Sequence, residues 1–445
     1  MKEHTIKAAA DHCRSFRYGL ILEGIAVGIL SGAVVVAFRY LLGCADVLRK
    51  LILEYGKGHS WFIPVWFVIL AAAAFIVARL LKWESLISGS GIPQVEGEMA
   101  GELDSCWWRV LLAKLAGGLL SLGGGLSLGR EGPSIQLGAM AAKGFSRLMK
   151  KAKTEERFLL TCGASAGLSA AFNAPLAGVL FSLEEIHKHF SPEVLLSCMA
   201  ASVTSDFVSK NVFGLQPVFN ISITRLIPLL GYGHVLLFGL IMGFVGVVYN
   251  TCLSKTQDLY QKLPGQAIRL LCPFLLAGAF GFLYPTVLGG GHPLVETLSL
   301  GETAMGGLCL LLVLKFCFSM LSFGSGAPGG IFLPLLVLGA ITGTIYYTGM
   351  EGVFGSLEGL LGNFIIMGMA GAFSAIVRAP ITGIILISEM TGSFSQLLAL
   401  SLVSLAAYVV PDILKCAPVY DQLLNRLLTK LKSEGKCGTA SEKEE

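Results

Sequence analysis

Three short segments rich in glycine and proline interrupt long apolar stretches of the sequence. They are GSGIP at 89–93, GREGP at 129–133 and GGIFLP at 329–334, and helix-compatible residues follow each one. Because proline is favoured in the first turn of a helix, each segment predicts a helix N-terminus. Inside a membrane, the free N–H groups and positive dipole end of such a helix need an anion. The segments therefore predict a site for a small anion made mostly of backbone amides; ordinary interhelical turns are the alternative.

An acidic residue, Glu131, lies inside the second of these segments. An ionisable side chain within a membrane is costly and indicates function by default. A carboxylate at helix N-termini can itself occupy an anion site, and it loses that attraction when it is protonated. Glu131 could therefore gate an anion pathway and carry a proton. A simple ion pair with Arg130 is the alternative, but neighbouring residues of a helix do not face each other.

The composition indicates the elements that must hold such a site. The chain has 445 residues, of which 54% are hydrophobic and 14% are charged, against roughly 25% charged in a typical soluble protein. The apolar runs suffice for ten or more bilayer-spanning segments of about 20 residues. We therefore expect an all-α polytopic protein in a lipid bilayer, with several broken helices. A soluble enzyme and a β-barrel are disfavoured, and the small net charge of +4 indicates no nucleic-acid partner.

The sequence contains an internal repeat. At a displacement of 201 residues, 111–139 matches 312–340 at eleven of 29 positions. At a displacement of 205, SAAFNAPLAG aligns with SAIVRAPITG, and Glu184 pairs with Glu389. Repeats of this kind are typical of secondary transporters, whose site lies where the two halves meet near mid-membrane. The repeat makes GREGP and GGIFLP equivalent, and in an inverted arrangement these two helix ends would point toward each other.

The repeat and the charges predict the organisation of the chain. We assign a cytoplasmic tail at 1–17, one membrane repeat at 18–215, a second at 226–430 and a cytoplasmic tail at 431–445. Lysine and arginine cluster in the N-terminal tail, in the loop at 147–157 and at the C-terminal end at 426–436. Because positive residues favour the cytoplasmic side, we place all three there.

The motifs together resemble the CLC family of chloride channels and chloride/proton exchangers. The resemblance rests on the three segments above, on SIQLG after GREGP, on APLAGVLFSLEEI at 174–186 and on APVY at 417–420. It covers about 18–430, with the motifs in the family's order. It implies a fold of two inverted repeats with broken, tilted helices. It also implies a homodimer with one pore per subunit, and a prokaryotic-type protein without C-terminal regulatory domains, in the inner or plasma membrane of a bacterium.

The resemblance implies a role for each matching residue in the anion site. Ser90 and Tyr420 match the serine and the tyrosine whose hydroxyls contact the central chloride. The backbone amides of Ile331 and Phe332 would bind the same ion. Glu131 matches the external gating glutamate and proton acceptor. Because the GSGIP serine is present, the resemblance favours chloride as the bound substrate.

A second acid bears on the choice between exchanger and channel. Glu184 and Glu185 match the family's acidic pair, and exchangers keep an acid at the second position as the internal proton-transfer site. Glu185 therefore favours chloride/proton exchange, with a passive voltage- or pH-gated chloride channel as the alternative. From its own chemistry, Glu185 could equally be a solvated charge near a cytoplasmic helix end.

Two other patterns suggest chemistry that we do not expect. Gly163–Gly167 matches the G-x-S-x-G pattern of serine hydrolases, but small residues at this spacing are more often a helix-packing face. The run His187-Lys188-His189 could bind a metal, but its charges favour a solvated helix end. The eleven cysteines are scattered and show no metal-ligand spacing. We expect no enzyme activity, no metal and no cofactor.

Overall fold

The computed structural model describes residues 2–188, 190–355 and 357–433, with side chains from position 19 onward. Most of the predicted C-terminal tail, residues 434–445, lies outside the described residues, as do the side chains of the predicted N-terminal tail. The cytoplasmic location of both tails therefore stays a prediction.

The described residues form an all-α fold. Its α-helices are α1 Lys2–Gly58, α2 Phe62–Trp83, α3 Ile92–Met99, α4 Trp107–Gly123, α5 Glu131–Leu148, α6 Lys153–Phe172, α7 Pro175–Phe181, α8 Pro192–Phe213, α9 Tyr232–Gln261, α10 Gln266–Leu283, α11 His292–Ser299, α12 Met305–Gly324, α13 Phe332–Phe354, α14 Leu361–Ile376, α15 Pro380–Thr391, α16 Leu397–Ile413 and α17 Val419–Ser433. In this part of the chain, six helical segments are long and apolar enough to cross a bilayer. Others, such as α3 and α7, are too short to cross, which confirms the expected broken helices.

The order of elements repeats along the chain. Helices α2 to α8 have counterparts of similar order in α10 to α16. A buried lysine marks the same place in each half: Lys114 Nζ donates to the carbonyl of Gly89 at 2.7 Å, and Lys315 Nζ donates to the carbonyl of Gly289 at 2.7 Å. Each lysine also donates to a carbonyl two residues earlier. The repeat seen in the sequence is therefore also a repeat of contacts.

Glycine allows the closest helix contacts in each half. A Cβ on Gly138 of α5 would lie 2.2 Å from the carbonyl oxygen of Gly163 on α6. A Cβ on Gly339 of α13 would lie 2.3 Å from the carbonyl oxygen of Gly368 on α14. Small residues let helix backbones approach in a membrane, where burial of apolar surface gives little drive for association. The G-x-S-x-G pattern that begins at Gly163 is thus part of a packing face.

We predict that Gly339→Ala destabilises the fold, because its new methyl group has no room against α14. The cost of such overpacking is about 1–3 kcal/mol. Gly352, on the same helix, has no atom within 4 Å of the position its Cβ would take. Gly352→Ala should therefore leave the thermal unfolding midpoint of the detergent-solubilised protein unchanged or raise it. Equal midpoints for the two variants would show that the α13–α14 contact tolerates a methyl group.

Candidate anion site and its acidic residues

The three glycine- and proline-rich segments each lead into a helix, as the sequence predicts. Helix α3 begins at Ile92, α5 at Glu131 and α13 at Phe332. Gly91, which precedes α3, has a φ of 92°. A Cβ there would also lie 2.3 Å from Gln136 Oε1 on α5. Glycine is therefore required at this position both by the backbone conformation and by the close approach of α5.

The N-termini of α5 and α13 meet. The N–H of Gly129 donates to the carbonyl of Gly330 at 2.7 Å, and the N–H of Gly330 donates to the carbonyl of Gly129 at 2.7 Å. This pair of hydrogen bonds is an isolated antiparallel bridge. Because the two segments are repeat-related, their antiparallel contact agrees with an inverted arrangement of the halves. Two positive helix ends thus lie side by side in the buried interior.

The side chain of Glu131 lies at this junction and is 0% exposed. A Cβ on Gly129 would lie 2.0 Å from Glu131 Oε2 and 3.1 Å from the backbone nitrogen of Leu333, so the carboxylate is close to the first turn of α13. Neither oxygen of this carboxylate has a hydrogen-bond partner among the described residues. The carboxylate therefore lies where the two helix ends would attract a small anion.

Ser90 lies against the start of α5. A Cβ on Gly132 would be 2.8 Å from Ser90 Cβ, and the serine is 2% exposed. Ser90 Oγ accepts a hydrogen bond from the N–H of Ile92 at 3.3 Å. Its hydroxyl hydrogen is therefore still available for an anion. Lys114 Nζ holds the carbonyl of Gly89, the residue before Ser90, which fixes the direction of this segment.

Tyr420 reaches the same region from α17. Its side chain is 0% exposed, and its hydroxyl has no hydrogen-bond partner among the described residues. Its ring packs edge-on against Phe181 at 6.4 Å, and the ring of Phe181 lies 6.1 Å from that of Phe332. Ile331 and Phe332 are both 0% exposed. A buried hydroxyl without a partner carries a free-energy cost of about 1–3 kcal/mol, which a bound anion would relieve.

The two acids of the 174–186 motif have different surroundings. Glu185 is 6% exposed and lies in a π-helical turn over Ser182–His187, so it is not a freely solvated charge. Its charged neighbours include Glu96, Lys188 and Asp421. This turn is wider than that of an α-helix.

Glu184 instead stabilises another helix. Its Oε2 accepts hydrogen bonds from the N–H of Thr382 at 2.8 Å and from Thr382 Oγ1 at 2.7 Å, at the start of α15. Its repeat counterpart Glu389 accepts from the N–H of Ala177 at 2.8 Å, at the start of α7. Each half thus contributes a carboxylate that caps a helix of the other half. Sequence reasoning paired these two glutamates but did not identify what they bind.

Comparison with known proteins agrees with this architecture. Converging helix ends within a repeated helical bundle define an integral membrane protein with a site suited to a small anion. The family model described as voltage gated chloride channel matches residues 71–412, and the chain belongs to this family, the CLC family. The chain is 37% identical over 428 residues to the H(+)/Cl(-) exchange transporter ClcA of Vibrio cholerae serotype O1, covering 93% of this chain and 91% of that protein. ClcA of Salmonella arizonae is 35% identical over 427 residues, covering 93% and 90%.

Solved structures show the same fold. A slow cyanobacterial Cl−/H+ antiporter has a TM-score of 0.88 at 30% identity, covering 93% of this chain and 99% of that chain. A CLC-type fluoride/proton antiporter has a TM-score of 0.74 at 24% identity, covering 91% and 97%. The second likeness concerns the fold alone.

We predict that Tyr420→Phe weakens chloride binding about tenfold or more, because a hydrogen bond to a charged group contributes about 1.5–3 kcal/mol. Isothermal titration calorimetry on the purified protein measures this. Tyr347→Phe is the control, since the Tyr347 hydroxyl donates to Glu351 at 3.3 Å near the other end of α13. If both variants bind chloride as tightly as the unmodified protein, Tyr420 is not part of the site.

Proposed function

We propose that this protein is a secondary active transporter that exchanges chloride for protons across the membrane. The observation that carries the proposal is the position of the Glu131 carboxylate at the joined N-termini of α5 and α13. A titratable acid at that position competes with the anion only while it is ionised. The names of the bacterial relatives and of the similar antiporter structure support the same function. The reaction needs no cofactor, metal or covalent chemistry.

In this mechanism the anion is held by partial charges. The amides of Ile331 and Phe332 at the start of α13 supply most of the field, and the hydroxyls of Ser90 and Tyr420 complete the shell. Partial charges bind the ion weakly enough to release it. A fixed arginine or lysine in contact with the ion would instead trap it. Lys114 and Lys315 are directed to backbone carbonyls, which is consistent with a site based on helix ends.

Coupling follows from competition at the helix ends. When Glu131 is ionised, its carboxylate excludes chloride from the junction of α5 and α13. When Glu131 binds a proton it becomes neutral, loses its attraction to the helix ends and can move away. Chloride can then take its place. A proton must therefore be bound and released for the anion to pass.

A second acid is required because the anion path is a poor route for protons. Glu185 is proposed as the internal proton-transfer residue: it is buried, yet it lies beside Lys188 and Asp421, whose side chains are 45% and 37% exposed. It thus has neighbours in contact with solvent. Protons can reach Glu131 from this side without crossing the bound chloride.

A passive chloride channel is the second candidate, because the same anion site would serve it. The buried Glu185 favours exchange, since a channel needs no second acid. The reversal potential of reconstituted protein under a pH gradient separates the two functions. An exchanger reverses at a potential that depends on both gradients. Reversal at the chloride equilibrium potential, whatever the pH gradient, would establish the channel.

The proposal includes a homodimer with one pore per subunit. Apolar side chains on α8 and α16 are exposed in the single chain; Phe207 is 69% exposed and Ile413 is 72% exposed. Such faces suit lipid or a second subunit. The lysine and arginine residues of 2–17 and 426–436, and the bacterial origin of the relatives, support a bacterial inner or plasma membrane with both termini in the cytoplasm. Cross-linking of cysteine variants at Phe207 in native membranes tests the dimer.

Glu131→Gln should abolish proton transport while chloride flux persists. The amide is similar in size to the carboxyl group, but it neither binds a proton nor competes with the anion as a charge. Chloride efflux and external pH are recorded together in liposomes. Proton uptake driven by chloride in this variant would remove Glu131 from the coupling mechanism.

Glu185→Gln should stop or strongly slow proton transport while chloride still moves, because the internal proton-transfer residue is lost. The adjacent Glu184→Gln is the matched control. It weakens a charged helix cap, so it should reduce stability by about 0.5–2 kcal/mol, and the folded fraction should still exchange protons. Normal exchange by Glu185→Gln would require another internal acid.

A further inference from the structure

A lysine bridges two carboxylates close to the proposed chloride site. Lys188 follows the π-helical turn that carries Glu185 and has a φ of 55°. Its amine forms ion pairs with Glu96 Oε1 and, at 2.8 Å, with Asp421 Oδ1. The Glu96 side chain is 7% exposed and that of Asp421 is 37% exposed. We call this set of three side chains the Lys188 clasp.

The Lys188 clasp joins the two elements that carry the hydroxyl groups of the site. Glu96 lies on α3, which begins two residues after Ser90. Asp421 lies in the first turn of α17, directly after Tyr420. The two helices also touch through apolar atoms, since a Cβ on Gly97 would lie 3.3 Å from Leu424 Cδ1. A shift of Asp421 would therefore move Tyr420 relative to Ser90.

The clasp gives the first turn of α17 an ion pair, in addition to the burial of Val419 and Tyr420 and a hydrogen bond from Asn250 Nδ2 to the carbonyl of Ala417 at 3.4 Å. Farther along α17, Arg426 binds Asp258 at 2.6 Å and Ser254 Oγ at 2.6 Å, which attaches that part of the helix to α9. The Tyr420 hydroxyl itself has no hydrogen-bond partner among the described residues. Its position is thus set by ring packing and by where α17 begins.

The carboxyl groups around Lys188 make its ion pairs important for the position of α17. Glu185, Glu96 and Asp421 place three carboxyl groups around Lys188, and Glu184 is a further acidic neighbour of Glu185. Glu96 is the most buried member of the clasp, and removing the partner of a buried charge is strongly destabilising. Without the cation, the carboxyl groups of Glu96 and Asp421 would repel each other and separate α17 from α3.

We infer that Lys188 is a positioning residue for the chloride site: by binding Glu96 and Asp421 it holds the Tyr420 hydroxyl opposite Ser90. The inference rests on the proposed anion site. It does not require that transport be coupled to protons.

Chloride affinity measured by calorimetry tests this role. Lys188→Met keeps an unbranched side chain of similar length and removes the cation. It should weaken chloride binding by about tenfold, the loss expected for one hydrogen bond to a charged group. In a Tyr420→Phe background it should cause no further loss, because the hydroxyl that it positions is absent. Lys151→Met is the control, because Lys151 pairs with Glu23 and Glu155 away from these helices; it should bind chloride normally.

Asp421→Asn provides a second variant if Lys188→Met folds poorly. It removes the charged partner of Lys188 on α17 but leaves the pair between Lys188 and the buried Glu96, so it should reproduce the loss of chloride affinity. Wild-type affinity in both Asp421→Asn and Lys188→Met would overturn the inference. So would an equal loss from Lys188→Met with and without the Tyr420 hydroxyl. If Tyr420→Phe alone leaves affinity unchanged, the proposed site fails, and the inference that rests on it fails too.

Discussion

The backbone N–H groups at the first turn of a helix have no partner within that helix, and the rest of this structure depends on where three such ends are placed. In water they would be solvated, but here α5 and α13 begin at residues that are 0% exposed. Their positive ends must be balanced in the interior. The Gly129–Gly330 bridge fixes both ends in one place, and the carboxylate of Glu131 supplies a negative charge there. The proposed anion site and the proposed gating role of Glu131 would therefore both follow from one electrostatic requirement.

The two halves of the chain share the residues that maintain the fold, but they differ at the position that carries the titratable acid. Lys114 and Lys315 make the same contacts in the two halves, and Glu184 and Glu389 each cap a helix of the opposite half. These pairs maintain the scaffold. Glu131, in contrast, has the apolar Phe332 as its counterpart. The acid is not needed for the architecture, which is why its presence indicates function.

Much of this could be predicted from the sequence, because the signals are local or repeated. Proline after glycine predicts a helix start, and the repeat indicates which two starts face each other. The contact of Glu184 with Thr382 and that of Lys188 with Asp421 could not be predicted in this way, since they join residues 198 and 233 positions apart. Such contacts depend on how α15 and α17 dock. The π-helical turn around Glu185 was likewise missed, because the short run carries no signal that distinguishes it from an α-helix.

Proton movement driven by chloride alone is the most direct test of the central claim, that an ionisable carboxylate and chloride compete for the same helix ends. Purified protein in liposomes is given a chloride gradient without a pH gradient, the membrane potential is clamped with potassium and valinomycin, and external pH is followed. Coupled exchange predicts that protons move against their own developing gradient in the direction opposite to chloride. Chloride flux with no change in pH beyond that of protein-free liposomes would contradict it.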